Sequence, residues 1–279
     1  MTEPRHHLTP ASDGPLHDVT PESAGWRYLS FAVHKLAPGE QLSHRGDDRE
    51  MALTPITGSA SVSAGELEGT IGRPSPFDHM PEILYAPPGT DVGVEAGPEG
   101  FEFALGGAPA EGRYPVALNR PAEMETMIRG GGGATRQVNN VLAHPLKAER
   151  LILFEVYVPR GMWSGWPPHC HDGYAGSPYL EETYYFRLDP DDGWAMHRNY
   201  RVDEDFDETF AIGSGDLVLV TKGFHSSAAS PGHNMWFLNY LAGELQDDER
   251  ARPPFFQPEY TWIDDSWDEG AWSLPRVEA

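Results

Sequence analysis

Glycine and proline interrupt this chain at short intervals throughout its length. There are 30 Gly and 26 Pro among 279 residues, one position in five, scattered as turn punctuation rather than gathered in a linker. Proline cannot continue a helical hydrogen-bond ladder, and glycine is costly to order inside one. The pattern therefore predicts an all-β chain of many short strands. From Trp26 onward the runs between breaks fit that reading: WRYLSFAVHKLAPGE alternates apolar positions and ends in Pro38-Gly39, and REMALTPITG, SASVSAGELEG and EILYAPPGTDVGVEA follow.

The second half repeats the first in outline. RLILFEVYVPRG corresponds to WRYLSFAVHKLAPG, ETYYFRL to REMALTPITG, and GDLVLVTKGFHSSAA to EILYAPPGTDVGVEA, so two copies of one β unit are expected. The boundaries read as a loose polar arm over 1–24, a first unit over 25–110, a connector over 111–147, a second unit over 148–246 and a tail over 247–279. In the connector, three Gly/Pro clusters interrupt any long helix. The tail carries Trp262, Trp267 and Trp272, too aromatic for a free acidic segment, and is expected to pack on a unit or a neighbouring subunit, which leaves a homo-oligomer open.

Twenty Lys and Arg against 43 Asp and Glu give a net charge of −23, which repels phosphate backbones and anionic lipid, so neither nucleic acid nor membrane is an expected partner. No run approaches the roughly 18 apolar residues of a span, and the first residues lack the apolar stretch of a secretory signal. A cytoplasmic location is expected. The single cysteine, Cys170, excludes an internal disulfide and an all-cysteine metal site, so any metal must sit on His and carboxylates.

One constellation carries such chemistry. In PPHCHDGYAGSPYLEETYYFRL, His169 and His171 stand two apart, so on a strand both rings project from one face. Glu181 or Glu182 follows at the start of a β-prone run in which Glu182, Tyr184 and Phe186 share a face. GDLVLVTKGFH then supplies His225 after a glycine turn. Three imidazoles and a carboxylate with open positions suit a divalent transition metal, Zn, Mn, Fe, Co or Ni, acting as a Lewis acid. HxH, then Glu, then G-D-x-V-x-V-x-x-G-x-H is also the ordered two-part signature of the cupin barrel.

With ATRQVNN upstream, YLEETYYFRL and FLNYLAG in the second copy, and LAPGE and YAPPGT in the first, the chain from about Trp26 to Gly243 resembles the 5-deoxy-glucuronate isomerases of myo-inositol catabolism. These are bicupins, two tandem cupin barrels with short helical connectors, related to the 4-deoxy-5-ketouronate isomerases. The resemblance puts the metal ligands on His169, His171, Glu182 and His225, with one metal per chain, Zn or Mn ahead of Fe, Co and Ni. Two positions depart from the family: Cys170 replaces a basic residue, and Asn139 replaces a histidine. The first copy offers only His44, Glu50 and Asp91 near the ligand positions, which implies a metal-free structural barrel.

The resemblance further implies an aldose–ketose isomerisation of a small-molecule uronate, 5-deoxy-glucuronate becoming 2-deoxy-5-keto-gluconate. Such a reaction needs the α-proton made acidic, an enediolate held and a group that moves the proton. Tyr184 and Lys222 are the candidates by position, with Glu181 weaker because alternation points it away. A uronate carboxylate asks for a bidentate arginine, Arg136 first and Arg187 second. His197 and His233 read as ordinary half-buried or surface histidines, and the cluster from Asp203 to Glu208 as a solvated loop. The competing readings are another metal-dependent cupin enzyme on a sugar acid, an epimerase or dioxygenase included, and a non-catalytic sugar-binding cupin.

Overall fold

In the computed structural model, which describes residues 5–274 and 276, the strands form three antiparallel sheets. An eight-stranded sheet holds most of the first half. It runs His17–Val19, Ser30–Leu36, Asp91–Pro109, Arg49–Ala64, Ile83–Ala86 and Ala117–Asn119, with Gln41–Arg45 and Leu67–Arg73 paired along its two long strands. Those strands have 16 and 19 residues, and their register shifts between Pro55 and Thr57 and between Gly58 and Ala60. Bulges of this kind bend a strand. A Cβ at Gly58, where φ is +86°, would lie 2.2 Å from the Gly100 carbonyl oxygen, so only glycine allows the two paired strands to approach this closely at the bend. The bend lets them wrap an interior that includes Leu53, Val62, Ile71, Val94 and Phe103.

The second half closes two sheets over another interior, lined by Phe186, Ile212, Val218, Val220 and Phe237. One is seven-stranded: His7–Leu8, Leu217–Val220, Leu180–Asp189, Asn234–Gly243, Ile152–Val158, Arg136–Leu142 and Glu125–Arg129. The other is five-stranded: Asp207–Ile212, Ala195–Tyr200, Phe224–Ala229, Trp163–Cys170 and Phe255–Phe256. Strand period two gives the seven-stranded sheet two buried faces. Tyr184 and Phe186 face the barrel interior, whereas Tyr185 packs with Trp236, Leu238 and Tyr240 against Phe31, Ala52 and Tyr85 of the first barrel.

Paired carboxylates lock this interface. Buried Glu50 of the first barrel accepts hydrogen bonds from the Glu149, Arg150 and Leu151 N–H groups at 2.6–2.8 Å and from the Tyr85 hydroxyl at 2.8 Å. Buried Glu181 of the second accepts from the Arg27, Tyr28 and Leu29 N–H groups at 2.7–2.8 Å. Each reaches into the first strand region of the other repeat. A fully buried Arg73–Glu155 ion pair at 2.6 Å adds a third link.

Three sequence-based expectations change here. The described part of the arm is not loose: His7–Leu8 pairs with Leu217–Val220, His17–Val19 pairs with Ser30–Leu36, and His6 and His7 bond to Glu208 and Asp216. Residues 1–4 of the arm lie outside the described residues. The connector contains strands, Ala117–Asn119 in the first sheet and the hairpin Glu125–Arg129 with Arg136–Leu142 in the second, because short β-prone runs between glycine clusters can still pair with a neighbouring edge. The acidic cluster is half loop and half strand, since Asp207 and Glu208 begin Asp207–Ile212. In the tail, of which residues 275 and 277–279 lie outside the described set, Phe255–Phe256 joins Trp163–Cys170 and Arg250 is buried against the Leu146, Leu151 and Asp247 carbonyls. Trp267 covers Gly131, while Trp262 and Trp272 stay exposed. Among the described residues no helix is long and apolar enough to cross a membrane.

Candidate active site

His169 and His225 are direct cross-strand partners in the five-stranded sheet, with ring centroids 4.4 Å apart. His171 follows the same strand as His169, and Glu182 reaches in from the facing sheet. One ring nitrogen from each of His169, His171 and His225 lies within 4.8 Å of the other two. Glu182 Oε2 stands 2.8 Å from His171 Nε2 and 3.3 Å from His225 Nε2, the latter too poorly aligned for a hydrogen bond. The three imidazoles converge inside the second barrel, and Glu182 reaches two of them, His171 and His225.

Their surroundings orient them. The Leu180 carbonyl holds His171 Nδ1 at 2.9 Å and the Gly223 carbonyl holds His225 Nδ1 at 3.3 Å, leaving both Nε2 atoms aimed at the centre. Burial opposes charge on His171, but the Glu182 hydrogen bond outweighs it and raises this ring above the ordinary histidine range. Burial also pushes the Glu182 carboxyl up; the hydrogen bond from His171 and the nearby His225 overcome this and hold it well below the usual carboxylate range. His169 is driven far below its ordinary value by burial and then by His225 and His171, so it is neutral and free to ligate. His169 Nδ1 and His225 Nε2 are buried with no hydrogen-bond partner. Orphaned buried nitrogens are rare, and here a three-nitrogen, one-oxygen donor set fits a divalent transition metal.

A cavity of about 360 Å³ opens over this cluster. Arg136, Asn140, Tyr184 and Asn239 line it, and the tail closes it with Arg252, Pro254 and Phe256. Tyr184 is packed edge-on to His225 and His197, at 5.7 and 4.8 Å between centroids. Burial, then the Glu182 charge, raises its hydroxyl far above the ordinary value, so Tyr184 is a neutral phenol. Arg136 is half-buried, and its Nη1 donates to the Ala134 carbonyl at 3.1 Å and the Trp166 carbonyl at 3.5 Å.

Two proposed residues lie elsewhere. Lys222 is in the turn before Phe224–Ala229 and extends outward to Glu204 at 3.0 Å, over the Phe206 ring, away from the cavity. Arg187 shares the Tyr185 face of its strand, so it points to the inter-barrel interface and pairs with Glu102. In the first barrel, His44 is exposed, Asp91 is exposed and bonded to Arg45, and Glu50 is the interface anchor, so the three side chains do not meet. His197 is fully buried rather than half-exposed: it lies between Ser227 Oγ and Asn199 Oδ1 at 2.8 Å each, and burial, then His225, lowers it to about 3. His233 bonds to Ser230 outside the cavity. Asn139 alternates away from the cavity onto Thr126 and Gln137, and buried Cys170, its thiol pushed up to about 12 by burial and then Asp172, does not line it either.

The sequence reading missed Arg129, Asn140, Asn239 and the tail. The two asparagines had a signal, each being polar inside an apolar run, VNNVL and WFLNYLAG. The tail's tryptophans signal packing on a unit, but nothing local places the tail beside His169, because that position arises from pairing across some 85 residues.

A sequence profile of the KduI/IolB family matches residues 5–263. The chain belongs to this family. A 5-deoxy-glucuronate isomerase from Geobacillus kaustophilus is 37% identical over 262 residues, covering 92% of this chain and 94% of the relative. The protein of that name from Bacillus subtilis is 29% identical over 277 residues, covering 94% and 97%. The crystal structure of an IolB-like protein from Salmonella typhimurium superposes with a TM-score of 0.88 at 35% identity, covering 93% of this chain and 99% of that one. An oxalate decarboxylase mutant from Bacillus subtilis, at 14% identity and a TM-score of 0.63 over 88% of this chain and 80% of that one, shares the fold. The family's tandem barrels are the bicupin architecture seen here.

Proposed function

We propose that this protein is a metal-dependent 5-deoxy-glucuronate isomerase, converting its substrate to 2-deoxy-5-keto-gluconate. The observation that carries the reading is the convergence of His169, His171, Glu182 and His225 at a cavity, in a chain related over nearly its full length to isomerases of that name. Those four residues would hold one divalent ion, zinc or manganese before iron, cobalt or nickel. When bound, the metal supplies a Lewis acid that polarises the carbonyl and acidifies the neighbouring C–H.

The remaining work belongs to the chain. Tyr184 Oη keeps its proton at neutral pH and donates to the substrate oxygen on which charge develops. Arg136 takes the carboxylate at the far end of the six-carbon substrate and so fixes where the carbonyl lies. Phe256 and Pro254 of the tail exclude water from the cavity mouth.

Incubating the metal-loaded protein with a panel of deoxy-uronates and following the carbonyl by NMR tests the reading. 5-Deoxy-glucuronate should be converted fastest, with no oxygen consumed; preference for a 4-deoxy-5-ketouronate, or oxygen uptake, would move the chain to another chemistry. Within the site, Tyr184→Phe should lower kcat on the order of a hundredfold with a smaller change in KM. Lys222→Ala should stay within about twofold of wild type, since its ammonium serves Glu204 on the surface. Equal losses in the two variants would return the lysine to the mechanism.

A further inference from the structure

The cavity runs against the electrostatics of the whole chain. Net charge is −23, yet the lining contains one carboxylate, Glu182, already engaged by His171, and three arginines, Arg129, Arg136 and Arg252. Arg252 is compensated by Glu249 at 3.0 Å. Arg129 and Arg136 are not: among the described residues the side-chain hydrogen bonds of Arg136 go to the Ala134 and Trp166 carbonyls, and Arg129 meets only the Met127 sulfur at 3.7 Å.

These two arginines are direct partners, the last pair of their hairpin before the glycine loop. Cross-strand partners bring their Cβ atoms to about 5 Å, where like charges destabilise the pairing. Partly desolvating the Arg136 guanidinium with no carboxylate in ion-pair contact adds to that cost. Burial, and then Arg129, lowers the pKa of Arg136. The loop between them is also held: a Cβ at Gly131 would stand 2.4 Å from the Trp267 ring, so the tail clamps the turn that carries both side chains. Two cations without an ion-pair partner among the described residues stand on a fixed turn, Arg136 half-buried in the cavity wall and Arg129 exposed at its edge, and form a site that an anion would complete.

We infer that Arg129 is the second arm of a carboxylate clamp with Arg136, and that this pair selects uronates over neutral sugars of the same length. The inference rests on the functional reading above and deepens it. The arms act through ground-state binding, because the carboxylate keeps its charge while the carbonyl moves.

The test compares 5-deoxy-glucuronate with 5-deoxy-glucose, which carries an alcohol in place of the carboxylate, on metal-loaded wild type, Arg129→Ala and Arg129→Lys. Turnover and calorimetric binding are both read. Arg129→Ala should reduce the preference for the uronate about tenfold or more, through KM rather than kcat, and Arg129→Lys should recover only part of it. Without ligand, Arg129→Ala should melt no lower than wild type, since the change relieves repulsion, and the uronate should stabilise it less. An unchanged preference, or equal losses on both compounds, overturns the clamp. No turnover of either compound by wild type would remove the isomerase reading, while the binding comparison would still decide the clamp.

Discussion

Replacing His225 by alanine should strip most of the metal from the protein and cut turnover by a factor on the order of 10³ or more, with both barrels still folded. Wild type should carry about one divalent ion per chain by elemental analysis. His225 is fully buried, its Nε2 has no hydrogen-bond partner, and its ring is cross-strand to His169 and within 5.1 Å of His171. Losing one donor from a three-nitrogen, one-oxygen set leaves a site that cannot hold a metal tightly. Because alanine also opens space in the core, His225→Gln serves as a second variant that fills the volume, with circular dichroism reporting the fold. His233→Ala, whose ring lies outside the cavity bonded to Ser230, should keep the full complement. A full metal content in His225→Ala would break the four-ligand assignment; two ions per chain would mean that the first barrel also binds.

The largest effect on stability is expected at Glu50. Its carboxyl is fully buried and accepts three backbone N–H groups and one hydroxyl across the inter-barrel interface. Glu50→Ala leaves four donors without an acceptor in a place water cannot reach. At about 1–3 kcal/mol for each unsatisfied group, with some relaxation, the loss should be on the order of 4 kcal/mol. For a chain of this size that lowers Tm by roughly 7 °C. Glu50→Gln keeps one acceptor oxygen and should fall between, and Glu181→Ala should behave like Glu50→Ala because it breaks the equivalent anchor. Differential scanning calorimetry reads all three. A shift within about 1 °C for Glu50→Ala would show that the interface does not depend on the anchor.

The β class and the repeat are legible in the sequence for a local reason. Period-two alternation is a short-range feature and is enough to put His169 and His171 on one face and Glu182 on the face of Tyr184 and Phe186, while the ordered cupin signature and the family resemblance supply His225 and the choice of Glu182 over Glu181. The same parity disqualifies Arg187, which lies on the odd-numbered face with Glu181 and Tyr185. Lys222 sits in a turn, where alternation says nothing about direction. What stayed hidden depends on contacts between distant segments. Glu50 looked like a relic of a metal site because its donors come from residues about 100 positions away. The hairpin bearing Arg129 and Arg136 looked like a connector, since its strands are short and are held by the sheet edge they extend. The tail has no periodicity at all and is placed by two residues of pairing and by buried Arg250.

The most direct test follows one carbon atom. 5-Deoxy-glucuronate labelled with carbon-13 at its aldehyde is incubated with the metal-loaded protein and observed by NMR. An isomerase acting at the His169–His171–Glu182–His225 cluster should move the label from the aldehyde region to that of a primary alcohol, with a ketone appearing at the adjacent carbon and no carbon dioxide released. A folded, metal-loaded protein that leaves the aldehyde signal unchanged, or that releases carbon dioxide instead, would contradict the account.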